Sequence, residues 1–330
     1  MERKIDWAAQ IGHRLKLRDL HVFCTVAQNG SMSQAAAQLG VSHPTVSEVI
    51  AALEHTFGVQ LFDRGPRGVE PTAFGVALLQ RCIAAFDELK QGARDIEFLA
   101  DSTRGELRIG CAESLAASIL PPIIEQFSQR YPRVRLSVDA VVTGTPEIPR
   151  LRDRSLDLVL ARMRPLAELH FPDDLKVEVL FDEELVVVAG QRSPWARRRK
   201  INLADLVHEP WLLTSSDNWN YVMVAEAFRA RGLDVPNIAL RTLSIHLRTN
   251  LLASGRFITA LPRSVLRLYA EPLALKILPV DLPTRSWPVA VVTLKHRTLG
   301  PVVARFIECT RELARRGRGK TNSGAPLRPR

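Results

Sequence analysis

Apolar residues in the first third of the chain recur at helical spacing, and short polar breaks separate them. The apolar positions in residues 20–27 follow steps of three and four, and this pattern stops at Gly30, which predicts a first helix. Ser31 can cap a second, alanine-rich helix, which Gly40 ends. Ser42 can then cap a third helix. Three short helices in close succession are therefore predicted.

The third helix separates apolar from polar residues. Pro44 is tolerated in its first turn, where the missing amide has no helical partner. One face is apolar: Val46, Val49, Ile50 and Leu53. The other is polar: His43, Thr45, Ser47 and Glu48. A glycine turn followed by a helix with a polar face is typical of a helix-turn-helix motif, whose second helix enters the DNA major groove. A three-helix bundle with a solvated face is the alternative interpretation.

A hairpin is predicted directly after these helices. Residues 59–62 form its first strand, residues 63–68 its turn and residues 69–71 its second strand. The predicted turn carries Arg64 and Arg67, which suit phosphate or minor-groove contacts.

Residues 74–101 contain no proline and predict one long helix. Its apolar positions alternate in steps of four and three: Leu78, Cys82, Ala85, Leu89, Gly92, Ile96 and Leu99. This spacing is the seam of a coiled coil and predicts a partner helix. A helix that packs on its own protomer is the alternative.

Beyond Gly105, strands and helices alternate, which predicts doubly wound α/β sheets. A strand at 106–110, a helix at 115–131 and a strand at 134–140 form the first unit. Further strands are predicted at 157–161, 185–189, 210–214, 258–261 and 288–294, and further helices at 145–154, 219–231 and 245–254.

Charge is unevenly distributed along the 330 residues, whose net charge is +10. Residues 1–105 carry 11 basic and 12 acidic side chains, whereas residues 315–330 carry 6 basic and no acidic ones. The glycine- and proline-rich end is predicted to be a disordered basic tail that promotes solubility or contacts phosphates. The basic charge therefore does not mark the predicted DNA-binding segment.

Cofactor, metal and membrane signals are lacking in the sequence. The four cysteines are scattered without a C-x-x-C pair, so neither zinc nor a disulfide is indicated, and we expect no cofactor. Cys111 is the best candidate if one of these thiols senses oxidants. No apolar run is long enough to span a membrane, so we expect a cytoplasmic protein without a membrane partner.

Several short motifs in the amino-terminal segment resemble one family. They are Leu17-Arg18-Asp19-Leu20, Ser31-Met32-Ser33-Gln34-Ala35-Ala36, Val41-Ser42-His43-Pro44-Thr45-Val46-Ser47, Leu53-Glu54, Gly58-Val59, Leu61-Phe62-Asp63-Arg64 and Pro71-Thr72-Ala73-Phe74-Gly75. Their order and spacing resemble the winged helix-turn-helix signature of LysR-type transcriptional regulators. The resemblance implies that DNA contacts come from Ser33, His43, Pro44, Thr45, Ser47, Glu48, Arg64 and Arg67.

Two positions depart from the family pattern. Family members usually have Gln at position 43 and Arg or Lys at position 48, where this chain has His43 and Glu48. A carboxylate repels the DNA backbone, although it can accept a hydrogen bond from cytosine N4. We therefore expect an unusual affinity or operator sequence.

The resemblance also implies a domain order. An extension at 1–14 precedes a DNA-binding domain at 15–73 and a dimerising linker helix at 74–101. An effector-binding domain at 106–312 follows, before the tail at 313–330. Its first lobe comprises 106–182 and 284–312, and its second lobe comprises 184–282. The expected partners are double-stranded DNA, a small-molecule effector and further copies of the chain, in a homodimer or homotetramer.

An effector is expected between the two lobes, where helix amino-termini favour small anions such as carboxylates. The loops at this position supply Glu113, Ser114, Thr143, Gly144, Arg162, Ser215, Ser216, Phe257 and Thr259. Arg162 can pair with a carboxylate, or it forms a surface or interlobe ion pair. Glu113 repels an acid unless Arg162 neutralises the Glu113 carboxylate. A neutral, hydroxylated or cationic effector is therefore the alternative to a carboxylate.

Three functions are compatible with these features. The leading hypothesis is a sequence-specific transcriptional regulator controlled by an effector. An enzyme is disfavoured, because no G-x-S-x-G, P-loop or G-x-G-x-x-G motif is present. A DNA-binding protein that has lost effector sensing is the third hypothesis.

Overall fold

The computed structural model describes residues 14–65, 68–101, 104–141, 148–163, 172–285 and 287–321. The chain divides into two units between Ala93 and Arg94. The first unit contains three short helices, a two-stranded hairpin and most of a long helix. The second contains two five-stranded sheets with their helices.

The three predicted helices of the first unit are confirmed. They are α1 (Leu17–Asn29), α2 (Met32–Leu39) and α3 (His43–Phe57). The Ser31 hydroxyl accepts a hydrogen bond from the Gln34 amide and caps α2, while the Ser42 hydroxyl accepts from the Thr45 amide and caps α3. Apolar side chains from all three helices share one buried core.

The hairpin is tighter than predicted. Strands β1 (Phe62–Gly65) and β2 (Gly68–Pro71) pair antiparallel, with Gly65 opposite Gly68. The first strand does not begin at residue 59, because Oε1 of Glu54 accepts hydrogen bonds from the Leu61 amide at 2.8 Å and from the Phe62 amide at 3.3 Å.

The hairpin packs tightly against the end of α1. The Val69 amide donates to the Gly30 carbonyl at 2.9 Å. A Cβ atom at Gly68 would collide with the same carbonyl oxygen, and Gly68 also has a φ of 124°. Only glycine fits this close approach without strain.

The long helix α4 runs from Ala73 to Ala100 and changes its environment along its length. Leu78 and Cys82 pack in the core of the first unit. The start of the predicted seam therefore packs on its own protomer, as the alternative interpretation had it. Later seam positions are exposed: Leu89 by 54%, Ile96 by 69% and Leu99 by 83%. An exposed apolar stripe therefore occupies the carboxyl-terminal half of α4.

The first sheet of the second unit is mixed and has the order β4-β3-β5-β12-β6. Its strands are β3 (Arg104–Cys111), β4 (Arg133–Ala140), β5 (Leu158–Arg162), β6 (Leu175–Glu183) and β12 (Trp287–Leu294). Successive residues of β5 belong to different hydrophobic clusters: Leu158 and Leu160 to one, Val159 and Ala161 to the other. The sheet is thus covered on both faces.

Four helices accompany the first sheet in the described residues. They are α5 (Glu113–Ala116), α6 (Leu120–Arg130), α7 (Pro149–Arg152) and α11 (Pro301–Thr321).

The second sheet has the order β11-β7-β10-β8-β9. Its strands are β7 (Leu185–Gly190), β8 (Trp211–Leu213), β9 (Ile238–Arg241), β10 (Ile258–Pro262) and β11 (Leu275–Ile277). The accompanying α-helices are α8 (Trp219–Ala230), α9 (Ile245–Ala253) and α10 (Arg263–Tyr269). Along β7, Val187 and Val188 again lie in different clusters. The predicted doubly wound α/β architecture with two lobes is confirmed.

Further details of the prediction are wrong. The helix expected at 145–154 ends earlier, since α7 stops at Arg152, and residues 145–147 lie outside the described residues. The helix expected at 115–131 is broken into α5 and α6, since the two prolines after Leu120 start a new helix. Strands β6, β9 and β11 were not predicted, because they lie at sheet edges and lack a continuous apolar run. Helix α11 continues past residue 312 to Thr321, and Leu313 and Ala314 pack against the first core. Residues 322–330 lie outside the described residues.

Candidate functional site

Helix α3 presents the polar face expected of a DNA-reading helix. Val46, Ile50 and Leu53 are buried beneath it, and Val49 is half-buried. On the opposite face, His43, Pro44 and Glu48 are exposed, whereas Thr45 and Ser47 are half-buried. Ser33 is exposed on α2. The described part of the first unit therefore has a rigid apolar support and a free polar surface.

The first turn of α3 is held by two hydroxyl groups. The Oγ atom of Ser42 lies 2.8 Å from Oγ1 of Thr45, and either hydroxyl can donate. Ser42 also accepts from the Thr45 amide at 3.3 Å. Thr45 therefore has a role in the helix cap in addition to any contact with DNA. His43 is better suited to a test of base recognition, because its exposed side chain is not part of this cap.

Glu54 connects the third helix to the hairpin. Its carboxylate on α3 accepts hydrogen bonds from the amides of Leu61 and Phe62. Leu61 is the last residue before β1, and Phe62 is the first residue of β1. Sequence reasoning treated Glu54 only as part of a motif. Its position fixes the hairpin, which carries the exposed Arg64, relative to α3. Arg67 lies outside the described residues.

A cavity of about 130 Å³ opens between the two lobes of the second unit. The first lobe contributes one side and the second lobe the other. Its lining residues are Ala112, Glu113, Ser114, Ala140, Val141, Thr214, Asn218, Trp219, Asn220, Leu243 and Arg248. Of the sequence-predicted effector residues, Glu113 and Ser114 line this cavity.

Arg248 supplies the positive charge in the cavity wall. Its side chain projects from α9 and is 2% exposed. Its Nη1 atom donates to Oδ1 of Asn220 at 3.2 Å, but its Nε atom has no acceptor among the described residues. Burial lowers the pKa of Arg248 to about 10, and the charge of Glu113 opposes this shift. The guanidinium stays protonated at neutral pH and lacks one hydrogen bond.

Arg162 is engaged elsewhere and does not line the cavity. It is fully buried, and its Nη2 atom donates to Oε2 of Glu183 at 2.6 Å. Its Nη1 atom donates to the Ser114 hydroxyl, and its guanidinium lies 5.1 Å from the ring centre of Trp219. Burial lowers the pKa of Arg162, while Glu183 counteracts that effect. Of the interpretations left open for Arg162, the ion pair at the lobe boundary is what the structure shows.

Glu113 does not pair with Arg162 but reaches across to the second lobe. Its Oε1 atom accepts a hydrogen bond at 2.7 Å from the amide of Ile245, the first residue of α9. A carboxylate at this point satisfies a free amide and interacts favourably with the helix dipole. Glu113 thus connects the two lobes beside Arg248.

The remaining predicted effector residues do not line the cavity. Ser215 and Ser216 are exposed in the loop before α8. Thr259 is buried and donates to the Leu212 carbonyl within the second sheet. Phe257 packs against the second lobe's core beneath Arg256. Thr143 and Gly144 lie outside the described residues.

Comparisons with known proteins match both units. Residues 17–76 match the family model described as "Bacterial regulatory helix-turn-helix protein, lysR family". Residues 100–315 match the "LysR substrate binding domain" model. The chain belongs to the LysR family of transcriptional regulators. It is a DNA-binding regulator with an effector domain, and its family is not one of enzymes.

Relatives of this LysR regulator cover most of its length. The HTH-type transcriptional regulator GbpR of Azospirillum brasilense is 26% identical over 289 residues, which are 87% of this chain and 83% of GbpR.

Solved structures share the LysR fold of this chain. Full-length OxyR from Pseudomonas aeruginosa has 23% identity and a TM-score of 0.63, with 92% of this chain and 95% of OxyR covered. Full-length CbnR complexed with its target DNA has 23% identity and a TM-score of 0.51, with 91% and 100% covered.

Sequence reasoning missed Arg248, the most unusual residue of this regulator's cavity. The signal that could have found it is positional. Ile245, Arg248, Thr249 and Leu252 follow helical spacing and form the buried face of α9. An arginine in an otherwise uncharged buried face needs a partner inside the protein or a ligand.

The cysteines of this LysR protein are all buried, and none of them forms a disulfide. Burial raises the pKa of Cys111 to about 12, although the charge of Arg162 opposes the rise. A thiol with such a pKa forms little thiolate, the reactive species, at neutral pH. Cys111 therefore lacks the properties of an oxidant sensor. Among the described residues, no cluster of three or more His, Cys, Asp or Glu side chains could hold a metal ion.

No helix in the described parts of this regulator is both long and apolar enough to span a membrane.

Proposed function

We propose that this protein acts in the cytoplasm as a homo-oligomeric regulator that reads a two-fold-symmetric DNA site through α3 and responds to a small molecule in the interlobe cavity. The observation that carries the DNA-reading part is the structure of α3. Its apolar face is buried by Val46, Ile50 and Leu53, while His43, Pro44 and Glu48 point to solvent. Polar side chains at the start of such a helix are suited to contact base edges.

The exposed half of α4 supports self-association. Leu89, Ile96 and Leu99 form an apolar stripe whose exposed fractions rise from 54% to 83%. A stripe at coiled-coil spacing favours a second copy of the same helix as its partner. Two copies of α3 would then read two half-sites of an interrupted palindrome, in a dimer or in a tetramer built from dimers.

The interlobe cavity supports effector control. Its two sides come from different lobes, so a bound molecule contacts both and its affinity depends on their separation. Such a difference in affinity is what allows a ligand to shift a conformational equilibrium. Glu113, Ser114 and Arg248 are the residues we propose for polar contacts with the effector.

DNA selection from a random library tests this proposal. The full-length protein should enrich a two-fold-symmetric consensus at both low and moderate salt, whereas backbone-driven binding depends on salt and enriches no sequence. The His43→Ala variant should lose part or all of that consensus. His55→Ala is the matched control, because His55 is exposed on the last turn of the same helix. Equal loss in both variants, or no enrichment by the wild type, would contradict the proposal.

A further inference from the structure

The interlobe cavity contains one positive and one negative side chain, contributed by opposite lobes. Arg248 belongs to α9 of the second lobe, and Glu113 begins α5 of the first. The two charges are close enough for Glu113 to raise the pKa of Arg248 against the effect of burial, which lowers it. The cavity is therefore dipolar.

Arg248 requires a negatively charged or strongly accepting group. It is 2% exposed, and its Nε atom lacks an acceptor in the part of the chain that the structure describes. A buried cation with an unmet donor is costly unless it is paired. Among the described residues, its guanidinium donates to the neutral Oδ1 of Asn220, at 3.2 Å. A carboxylate placed in the cavity supplies the missing counter-charge for Arg248.

Glu113 restricts what else that ligand can carry. Its Oε1 atom is held 2.7 Å from the Ile245 amide, and Glu113 lines the same cavity. Arg162 does not neutralise it, since Arg162 pairs with Glu183. A ligand with negative charge alone would meet repulsion from Glu113, and a ligand with positive charge alone would leave Arg248 unpaired.

Three further side chains in the wall form hydrogen bonds within the protein. Oγ1 of Thr214 accepts from the Tyr221 amide at 3.2 Å. Oδ1 of Asn218 accepts from the Asn220 amide at 3.1 Å. The amide group of Asn220 donates to the Ala260 carbonyl at 3.0 Å. These groups shape the cavity, whereas the charges of Arg248 and Glu113 select its ligand.

We infer that the effector is a small zwitterion of the α-amino-acid class, with its carboxylate on Arg248 and its ammonium group on Glu113. This inference rests on the proposed function, because it names the ligand of the proposed effector cavity. The two charged ends bind residues from different lobes, so the ligand holds the lobes at one separation. Glu113 and Arg248 are then the residues that determine specificity.

Ligand-induced stabilisation of the full-length protein tests the inference. The probes are the twenty common α-amino acids, each compared with its deaminated acid and its decarboxylated amine; L-alanine, propanoate and ethylamine form one such set. At least one amino acid should raise the melting temperature in a dose-dependent way. Its acid and amine should bind at least about tenfold more weakly, because each lacks one of the two charge contacts.

Two substitutions test which side chain binds the ammonium group of the ligand and which binds its carboxylate. Glu113→Gln should reduce the preference for the amino acid over its acid by about tenfold, whereas Glu226→Gln on the exposed face of α8 should not. Arg248→Gln should abolish binding of the amino acid and of its acid, whereas the exposed Arg229→Gln should leave both unchanged. The melting temperature of each variant without ligand, followed by tryptophan fluorescence, shows that its effector domain is folded, because the five tryptophans of the chain include Trp195, Trp211, Trp219 and Trp287 of the second unit.

Three results would overturn the inference: no amino acid stabilises the protein, an acid binds as tightly as its amino acid, or Glu113→Gln leaves the preference unchanged. If an acid binds as tightly as its amino acid and changes the affinity for DNA, the protein is controlled by an effector, but the inference that this effector is a zwitterion is wrong. If the protein enriches no DNA sequence, the proposed function itself fails.

Discussion

The Nη2 atom of Arg162 lies 2.6 Å from Oε2 of Glu183, and both side chains are buried at the boundary between the two lobes. The other carboxylate oxygen of Glu183 accepts the Ser264 amide at 2.9 Å, at the start of α10 in the second lobe. Glu183 thus compensates a buried cation and joins the first lobe to the second.

Removal of this carboxylate should destabilise the effector domain. Glu183→Gln leaves Arg162 buried without a counter-charge, and we expect a loss of about 3 kcal/mol in the free energy of unfolding. Urea unfolding followed by tryptophan fluorescence measures it. Glu184→Gln is the control, because Glu184 is 62% exposed in its pair with Arg263 and should cost less than about 1 kcal/mol. Equal effects of the two substitutions would contradict this role of Glu183.

Asp157 makes stability depend on pH in the acid range. Burial by itself would raise the pKa of Asp157, but hydrogen bonds from Arg108 and the charges of Arg108 and Arg297 outweigh it and lower the pKa below the ordinary value of 3.8. The stabilisation is therefore complete above the unfolded-state pKa and is lost as the pH falls through the folded-state pKa.

The Asp157→Asn variant should be about 3 kcal/mol less stable than the wild type at pH 7. This difference in stability should narrow as the pH falls below 3.8, because protonation of Asp157 then removes the carboxylate charge that stabilises the wild type. Unfolding curves between about pH 3 and pH 7 measure it, with the exposed Asp173→Asn as the control. A difference that stays constant over this range would show that the carboxylate charge is not the cause.

The exposed stripe on α4 should hold copies of the chain together. Ile96 and Leu99 are 69% and 83% exposed, and burial of such side chains in an interface contributes about 1.5–3 kcal/mol each. Ile96→Glu and Leu99→Glu should each raise the dissociation constant by at least about tenfold in sedimentation experiments. Lys90→Glu, on another face of the helix, should leave it unchanged. Unaltered assembly of the Ile96 and Leu99 variants would exclude this surface.

The sequence predicted the DNA-binding unit well because its signals are local. Ser31 and Ser42 mark helix starts through side-chain caps, and Val46, Ile50 and Leu53 mark a buried face by spacing alone. Each of these features depends on residues a few positions apart. The same reasoning located the end of α1 correctly at Gly30.

The parts that sequence reasoning missed depend on contacts between distant residues. Glu54 prevents an earlier start of β1, because its carboxylate accepts hydrogen bonds from the amides of Leu61 and Phe62. Arg162 is buried because Glu183, on another strand, compensates its charge. Arg248 lines the cavity because residues of both lobes, Glu113 and Asn220 among them, surround its side chain. Neither composition nor periodicity encodes such pairings.

The most direct test of the central claim compares the DNA consensus of the wild type with that of His43→Gln. If two copies of α3 read bases in an oligomer, the substitution should change the preferred base at one symmetry-related pair of positions and leave the rest of the consensus intact. A consensus that is unchanged in the variant, or one that changes in a single half-site, would contradict base reading by His43 in two symmetric copies of α3.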